Sequence, residues 1–410
     1  MLMHGNAVVG QSGGPTAAIN ATLSGVIRGA LDAKQKGIIG TLYGMRNGIE
    51  GFLREDLVDL FKTFEDVSDL GTLEATPAAA LGSCRKKLKS HEEDADTYAK
   101  ILEILKKYDI RYFFYIGGND SMDTVLKLSR YAASHDYELR VVGVPKTIDN
   151  DLMATDHTPG FGSAAKFVAT TVAEIVRDIN VYTMDAVTIV EIMGRDAGWL
   201  TASAALASLN GEGPDLVYLP ERVFEEERFI NDVRDRLKDH PAILVAVSEG
   251  VRFANGEYVG AGTQSGAVDV FGHKYLAGTG KVLESIVKNR IGCKVRSIEL
   301  SLTQRCASHM ASLTDINESV TVGKGAVEAA ISSKTGVMMT IERAVGEDYV
   351  TTVRCADIAG IANAIKTVPD EYINEDGNGI TEAGIEYLKP LIMGELPLEY
   401  VNGLPKHFVI

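Results

Sequence analysis

The chain predicts an α/β protein of two lobes, each a mostly parallel sheet covered by helices, with a cleft between them. Three observations carry this. Short continuous Val/Ile runs alternate with longer stretches of helical periodicity, as they do when strands are buried on both faces. Such runs occur in the first third and again in the middle of 410 residues, a length sufficient for two ordinary domains. Several runs end in glycine or polar turns, and ligands of layered α/β proteins sit at those carboxyl ends.

The elements follow in order. NAVVG (6–10) reads as a strand, then Ile19, Leu23, Val26, Ile27 and Ala30 share one helical face. YFFYIGG (112–118) is a strand before a helix bearing Val125, Leu126, Leu128 and Ala132. LRVVGVP (139–145) is the next strand. Val168, Val172, Ile175, Val176 and Ile179 mark a further helix, and AVTIVEIMG (186–194) and AILVAVSEG (242–250) are buried-strand runs. Residues 220–240 form a charged amphipathic helix with a solvated face. The last forty or so residues, punctuated by NEDGNGI and VNGLP, read as a loop-rich extension.

Composition narrows the function. Hydrophobic residues make up 45% and charged residues 24%, the profile of a globular protein with a full core. A net charge of −15 argues against nucleic acid and anionic membrane as partners. A small anion remains open if its site gathers cations. Cys84, Cys293, Cys306 and Cys355 form no C-x-x-C pair and are expected as reduced thiols. The N-terminus has no signal-peptide pattern and no run reaches a membrane span, so the expected location is the cytoplasm.

Four turns carry chemistry. In GQSGGPTAAIN, Gly13 and Gly14 let the backbone approach a ligand at the start of a helix, a phosphate site in outline. The spacing matches neither a P-loop nor a dinucleotide fingerprint. In YIGGNDSMDT, Asn119, Asp120 and Ser121 follow Gly117 and Gly118. Capping explains one such residue but not all three. In VPKTIDND, Asp149, Asp151 and Thr147 share a face of extended chain, with Lys146 opposite unless the loop turns. One carboxylate is placed to take a proton from a hydroxyl, the other to shape a metal shell or hold the first. In EIMGRDAGWLT, Arg195 reaches a phosphate across the cleft or else pairs with an acid such as Asp196. Glycine cradles, cations, carboxylates and a metal are the parts of phosphoryl transfer.

With these residues in view, the chain resembles the phosphofructokinase family. SGG…N (12–14, 20), LGSCR (81–85), GGNDS (117–121), PKTIDND (145–151), MGRDAGW (193–199), SEG (248–250) and QR (304–305) fall in the family's order. The resemblance implies Rossmann-like three-layer lobes and transfer of a phosphoryl group to the 1-hydroxyl of fructose 6-phosphate, with Mg²⁺ as cofactor. It implies Asp149 as general base, Thr147 beside the moving phosphoryl and Arg195 as transition-state cation. Ile148, Met193, Gly194 and Glu249 belong to the sugar site, and Arg296 and Arg305 clamp the 6-phosphate. Gly13, Gly14, Arg85, Asp120 and Ser121 hold the donor. Asn119 and Asp120 are the expected metal residues, with Asp151 as a further acid. The expected division is 1–143 plus about 304–360 for the donor lobe, 144–303 for the sugar-phosphate lobe and about 361–410 for the extension.

Asp120 and Lys146 stand where ATP-using members carry glycine, which resembles the pyrophosphate-dependent branch. A carboxylate at 120 adds bulk and charge on a nucleotide's path, and an ammonium at 146 neutralises a compact donor. Ala186 and Leu302 replace polar members of the phosphate clamp, with Lys274 and Lys281 as substitutes or surface lysines. Asn119 replaces a metal-associated aspartate, and a neutral oxygen is a weaker ligand. Three readings stay open. They are a pyrophosphate-dependent enzyme, an ATP-dependent one, and a non-catalytic sugar-phosphate sensor; sedoheptulose 7-phosphate is an alternative acceptor. A homodimer or homotetramer is expected. Trp199 is expected to pack under the GRDAGW turn, His157 to be an idle loop histidine, and Cys306 and His309 to pack.

Overall fold

The computed structural model describes residues 3–181, 183–263, 278–346, 348–361 and 364–410. Lys274 lies outside them. Strands are β1 Gly5–Gln11, β2 Ile39–Met45, β3 Leu57–Asp59, β4 Ile110–Gly117, β5 Arg140–Pro145, β6 Ala186–Ile192, β7 Leu216–Tyr218, β8 Ala242–Ser248, β9 Lys294–Glu299, β10 Val337–Arg343 and β11 Thr351–Asp357. One seven-stranded sheet has the order β11-β10-β5-β4-β1-β2-β3, and a four-stranded sheet has the order β7-β8-β6-β9. Within the large sheet only the edge strands β3 and β11 run antiparallel to their neighbours. The small sheet is parallel throughout.

The apolar runs form these central strands. Val8 and Val9 of β1, Phe113 and Phe114 of β4 and Val141 and Val142 of β5 have no exposed surface. Helices Ile19–Gln35 and Leu313–Ile331 cover one face of the large sheet. They meet at glycines. A Cβ on Gly25 would stand 2.1 Å from the Val320 carbonyl oxygen, and one on Gly323 would stand 2.2 Å from that of Thr22. Helix Asn119–Ser134 starts directly after β4, and helix Phe161–Ile179 packs into the second lobe's core.

The lobes are α/β and mostly parallel, as the runs predict, but they are not alike. Glycine-ended runs mark where strands stop, not how many pair, so seven strands face four. The tail is also more than an appendage. Val368, Ile373, Leu388 and Leu391 are buried in the second core, each worth roughly 1.5–3 kcal/mol of apolar burial. Phe408 stacks on Phe64 in the first lobe at 4.8 Å. A short hairpin pairs Tyr400–Val401 with Leu404–Pro405 through Asn402 and Gly403, both with positive φ (53° and 81°), the conformation that Asn-Gly favours.

Candidate active site

Strand ends from both sheets converge on a cleft of about 490 Å³. Gly13, Gly14, Arg85, Asn119, Asp120, Ser121, Lys146, Thr147, Ile148, Asp149, Asp151, Met193, Arg195, Glu249 and Arg305 all line it. Gly194 sits just behind: its N–H points to Glu249 Oε1 at 3.4 Å. Arg296 does not reach the cleft. It lies on β9 opposite Thr188, in a separate small depression with Ala186 and Met184.

The first wall comes from the turn after β1. Gly13 has φ +78°, a left-handed conformation that suits glycine. Ser83 donates to the Gly13 carbonyl at 2.6 Å, and Gly13 N–H donates to Cys84 at 3.1 Å. The Arg85 segment is thereby tied to the glycine turn. A Cβ on Gly14 would come within 3.3 Å of Arg305 Nη1, so small residues here let a cation approach the backbone.

The second wall is the loop after β5. The extended arrangement expected for 146–151 is overturned. The chain bends at Ile148 and Asp149 and turns again at Asn150 (φ 52°), and Lys146 shares the cleft with both acids instead of facing away. Lys146 is 2% exposed and donates to the Gly14 carbonyl at 2.6 Å. Burial pushes its ammonium down to about 8, a shift opposed by Asp149 and reinforced by Arg305 and Arg85. Asp149 N–H donates to Thr147 Oγ1 at 3.0 Å, fixing the aspartate's main chain. Burial raises the Asp149 carboxyl, against the pull of Lys146 and Arg195. Asp151 is pushed up to about 7 by burial and by Asp149's charge. Carboxyls raised toward neutrality suit proton transfer.

Asn119 Nδ2 lies 3.5 Å from Asp151 Oδ2, while Asn119 Oδ1 is buried with no hydrogen-bond partner. Asp120 instead pairs with Lys87 at 3.0 Å. Lys87 was not legible as a site residue, although the basic run directly after Arg85 was its signal. Among the described residues no cluster of three or more His, Cys, Asp or Glu side chains forms a ready metal cage.

On the far side, Arg195 sits on the turn after β6. Asp196 is bound to Arg252. A Cβ on Gly250 would lie 2.0 Å from the Arg195 carbonyl oxygen, so Gly250 lets the turns after β6 and β8 pack together. Glu249 is raised to about 8, chiefly by burial. Gln304 receives the Met193 N–H at 3.2 Å, which links the QR segment to the same turn.

Several smaller expectations resolve here. Trp199 is 3% exposed, and its ring lies against Tyr372 and Tyr387 of the tail. Cys306 and His309 are exposed: the segment breaks into the one-turn helix Thr303–Cys306 and the turn Ser308–Met310, whose inward positions are taken by Gln304 and Ser308. His157 is not idle: it is buried between Asp156 (2.8 Å) and Glu318 (2.7 Å). Leu302 is 54% exposed, and Lys281 pairs with Glu284 on the surface. All four cysteines are free thiols. No helix among the described residues is long and apolar enough to cross a membrane.

Comparison with known proteins is consistent over nearly the full length. The phosphofructokinase family model matches residues 6–330. Pyrophosphate--fructose 6-phosphate 1-phosphotransferase of Methylococcus capsulatus is 43% identical over 408 residues, covering 99% of this chain and 96% of the relative. The protein of the same name from Xanthomonas campestris pv. campestris is 44% identical over 413 residues, with 99% and 96% covered. The crystal structure of pyrophosphate-dependent phosphofructokinase from Nitrosospira multiformis matches with a TM-score of 0.88 at 39% identity, covering 98% of this chain and 95% of that one.

Proposed function

The chain belongs to the phosphofructokinase family, and from that premise we propose that it transfers a phosphoryl group from pyrophosphate to the 1-hydroxyl of fructose 6-phosphate. The products are fructose 1,6-bisphosphate and phosphate. The reaction is reversible, because the bond broken and the ester formed are of comparable energy. The observation that carries the donor assignment is the buried Lys146 ammonium against the Gly14 carbonyl.

In this reading the large-sheet lobe, about 1–143 with 304–360, holds the donor, and the lobe 144–303 holds the sugar phosphate. Pyrophosphate lies along Gly13 and Gly14, with Arg85 and Lys146 on its charges and Asp120 and Ser121 on the opposite wall. Asp149 takes the proton of the sugar 1-hydroxyl as its oxygen bonds to the transferring phosphorus. Lys146 and Arg195 offset the charge that grows on the phosphoryl and leaving oxygens as the donor bond breaks. Thr147 orients the base. Glu249 receives sugar hydroxyls, Ile148, Met193 and Gly194 flank the ring, and Arg305 binds the 6-phosphate. Arg296, on the sheet edge, suits the clamp of a neighbouring copy.

Mg²⁺ fits the acid side of the cleft. The orphaned Asn119 Oδ1 and the Asp151 carboxylate beside it supply hard oxygen donors. Magnesium sites commonly use one or two such ligands plus substrate phosphates and water. Asn119 and Asp151 would hold the ion, with Asp120 in reach once released from Lys87. When bound, Mg²⁺ neutralises phosphate charge and orients the donor.

A homodimer or homotetramer follows from the same reading. Its support is the edge position of β9 among the described strands and the exposed Met184 and Leu302 near it. A cytoplasmic location accords with a sugar-phosphate enzyme. The test is purified protein with Mg²⁺, pyrophosphate and fructose 6-phosphate: formation of the bisphosphate supports the reading. Tight sugar-phosphate binding without turnover on any donor points to a sensor.

A further inference from the structure

The segment that follows residue 363 runs between the two halves of the cleft, and one side chain on it does most of the joining. Lys366 Nζ donates to the carbonyl oxygens of Asp156 (2.7 Å) and Thr155 (3.1 Å) and to Asn150 Oδ1 (3.2 Å). Asn150 is the left-handed residue that turns the loop between Asp149 and Asp151. Its Oδ1 also receives the Thr158 N–H at 3.0 Å, so one amide oxygen and one ammonium fix the whole return of the loop.

The main chain of Lys366 makes the second half of the link. Its N–H donates to the Asp151 carbonyl at 2.8 Å. Its carbonyl accepts the Trp199 indole N–H at 2.9 Å, and the ammonium lies 5.3 Å from that ring's centroid. Trp199 ends the turn that carries Arg195. Two residues on, Val368 N–H reaches Glu221 Oε1 at 2.9 Å, and the same oxygen receives Gly198 N–H at 2.8 Å. The neighbouring Ile365 lines the cleft itself.

We propose that Lys366 is a positioning residue for phosphoryl transfer: through its ammonium and its main chain it locks the loop bearing Asp149 and Asp151 to the turn bearing Arg195, and so sets the spacing of base and transition-state cation. It touches no reacting atom. This rests on the roles given above to Asp149 and Arg195. The chemistry favours it: three converging acceptors on one buried ammonium make a rigid clamp, and reacting groups displaced by about 1 Å can lose about 100-fold in rate.

The experiment compares the intact protein with Lys366→Met and Lys366→Ala, using pyrophosphate, fructose 6-phosphate and Mg²⁺. Far-UV circular dichroism and melting temperature establish the folded fraction. Per folded molecule, kcat is expected to fall about 100-fold while both KM values stay near those of the intact protein. Added methylammonium should restore part of kcat in Lys366→Ala, whose slot is empty, and none in Lys366→Met, whose slot is filled. Folded variants with unchanged kcat overturn the proposal, as does a loss that only tracks the unfolded fraction. If both variants fold poorly, Trp199→Phe decides. It keeps the ring packing and removes the bond to the Lys366 carbonyl, so a lowered kcat at unchanged KM supports the link and an unchanged kcat overturns it. An intact protein without turnover refutes the functional reading itself, which separates the two failures.

Discussion

The Lys146 ammonium donates a 2.6 Å hydrogen bond to the carbonyl oxygen of Gly14, joining the loop after β5 to the glycine turn after β1. A buried cation thus lies at the place where two sheet ends would enclose a donor. Replacing it by methionine keeps the volume and removes the charge. Lys146→Met should lower kcat with pyrophosphate by about 10²–10³-fold, the scale of losing one preorganised transition-state donor. Steady-state kinetics check this, and an unchanged kcat would place the lysine outside the chemistry.

The same lysine sets a pH limb. Its folded value of about 8 lies below the ordinary 10.5. Only the ammonium neutralises the donor, so kcat/KM for pyrophosphate should fall as pH rises through about 8. The unfolded chain binds more protons between these two values, so Lys146's contribution to stability rises with pH across that window and is lost as pH falls through about 8. Lys146→Arg keeps its charge and should lose the alkaline limb. If the limb persists there, another group causes it.

Asp149 is expected to act on the rate and not on sugar binding. Asp149→Asn should cut kcat by about 10²–10⁴-fold while calorimetry still detects fructose 6-phosphate. Loss of binding together with turnover would instead make Asp149 a binding group.

The orphaned Asn119 Oδ1 predicts a metal phenotype. Asn119→Ala should weaken the apparent Mg²⁺ affinity by about tenfold or more, read from Mg²⁺ titration of the initial rate. An identical titration curve would move the ion elsewhere.

Gly25 tests the fold apart from the chemistry. Its Cβ would meet main chain at 2.1 Å, and main chain cannot rotate away. Gly25→Ala should cost about 1–3 kcal/mol in urea unfolding and leave kcat per folded molecule unaltered. An unshifted midpoint would mean the two helices separate freely.

Much of this architecture can be read without coordinates, because buried parallel strands need continuous apolar runs and those runs are plain at 112–118 and 242–248. The cleft residues are legible for a related reason: polar groups clustered at strand ends do not build an apolar core and so point to a ligand. What escapes is geometry set by single dihedrals and distant contacts. Period-two reasoning turns Lys146 away from the acids unless the loop turns, and the bend at Ile148 and Asp149 supplies that turn and leaves all three in one cleft. Lys366 lies more than two hundred residues from the loop it holds, in a tail whose composition signals only turns. The resemblance puts Arg296 in the phosphate clamp, yet strand pairing sets it opposite Thr188 and outside its own cleft.

The donor is the central claim, and the most direct measurement is kcat/KM for pyrophosphate and for ATP under identical Mg²⁺ and fructose 6-phosphate. The intact protein should use pyrophosphate far better than ATP, and Asp120→Gly with Lys146→Gly should narrow that ratio, because the acid and the ammonium no longer exclude a nucleotide and seat the smaller donor. An intact protein that turns over ATP more efficiently than pyrophosphate would contradict it.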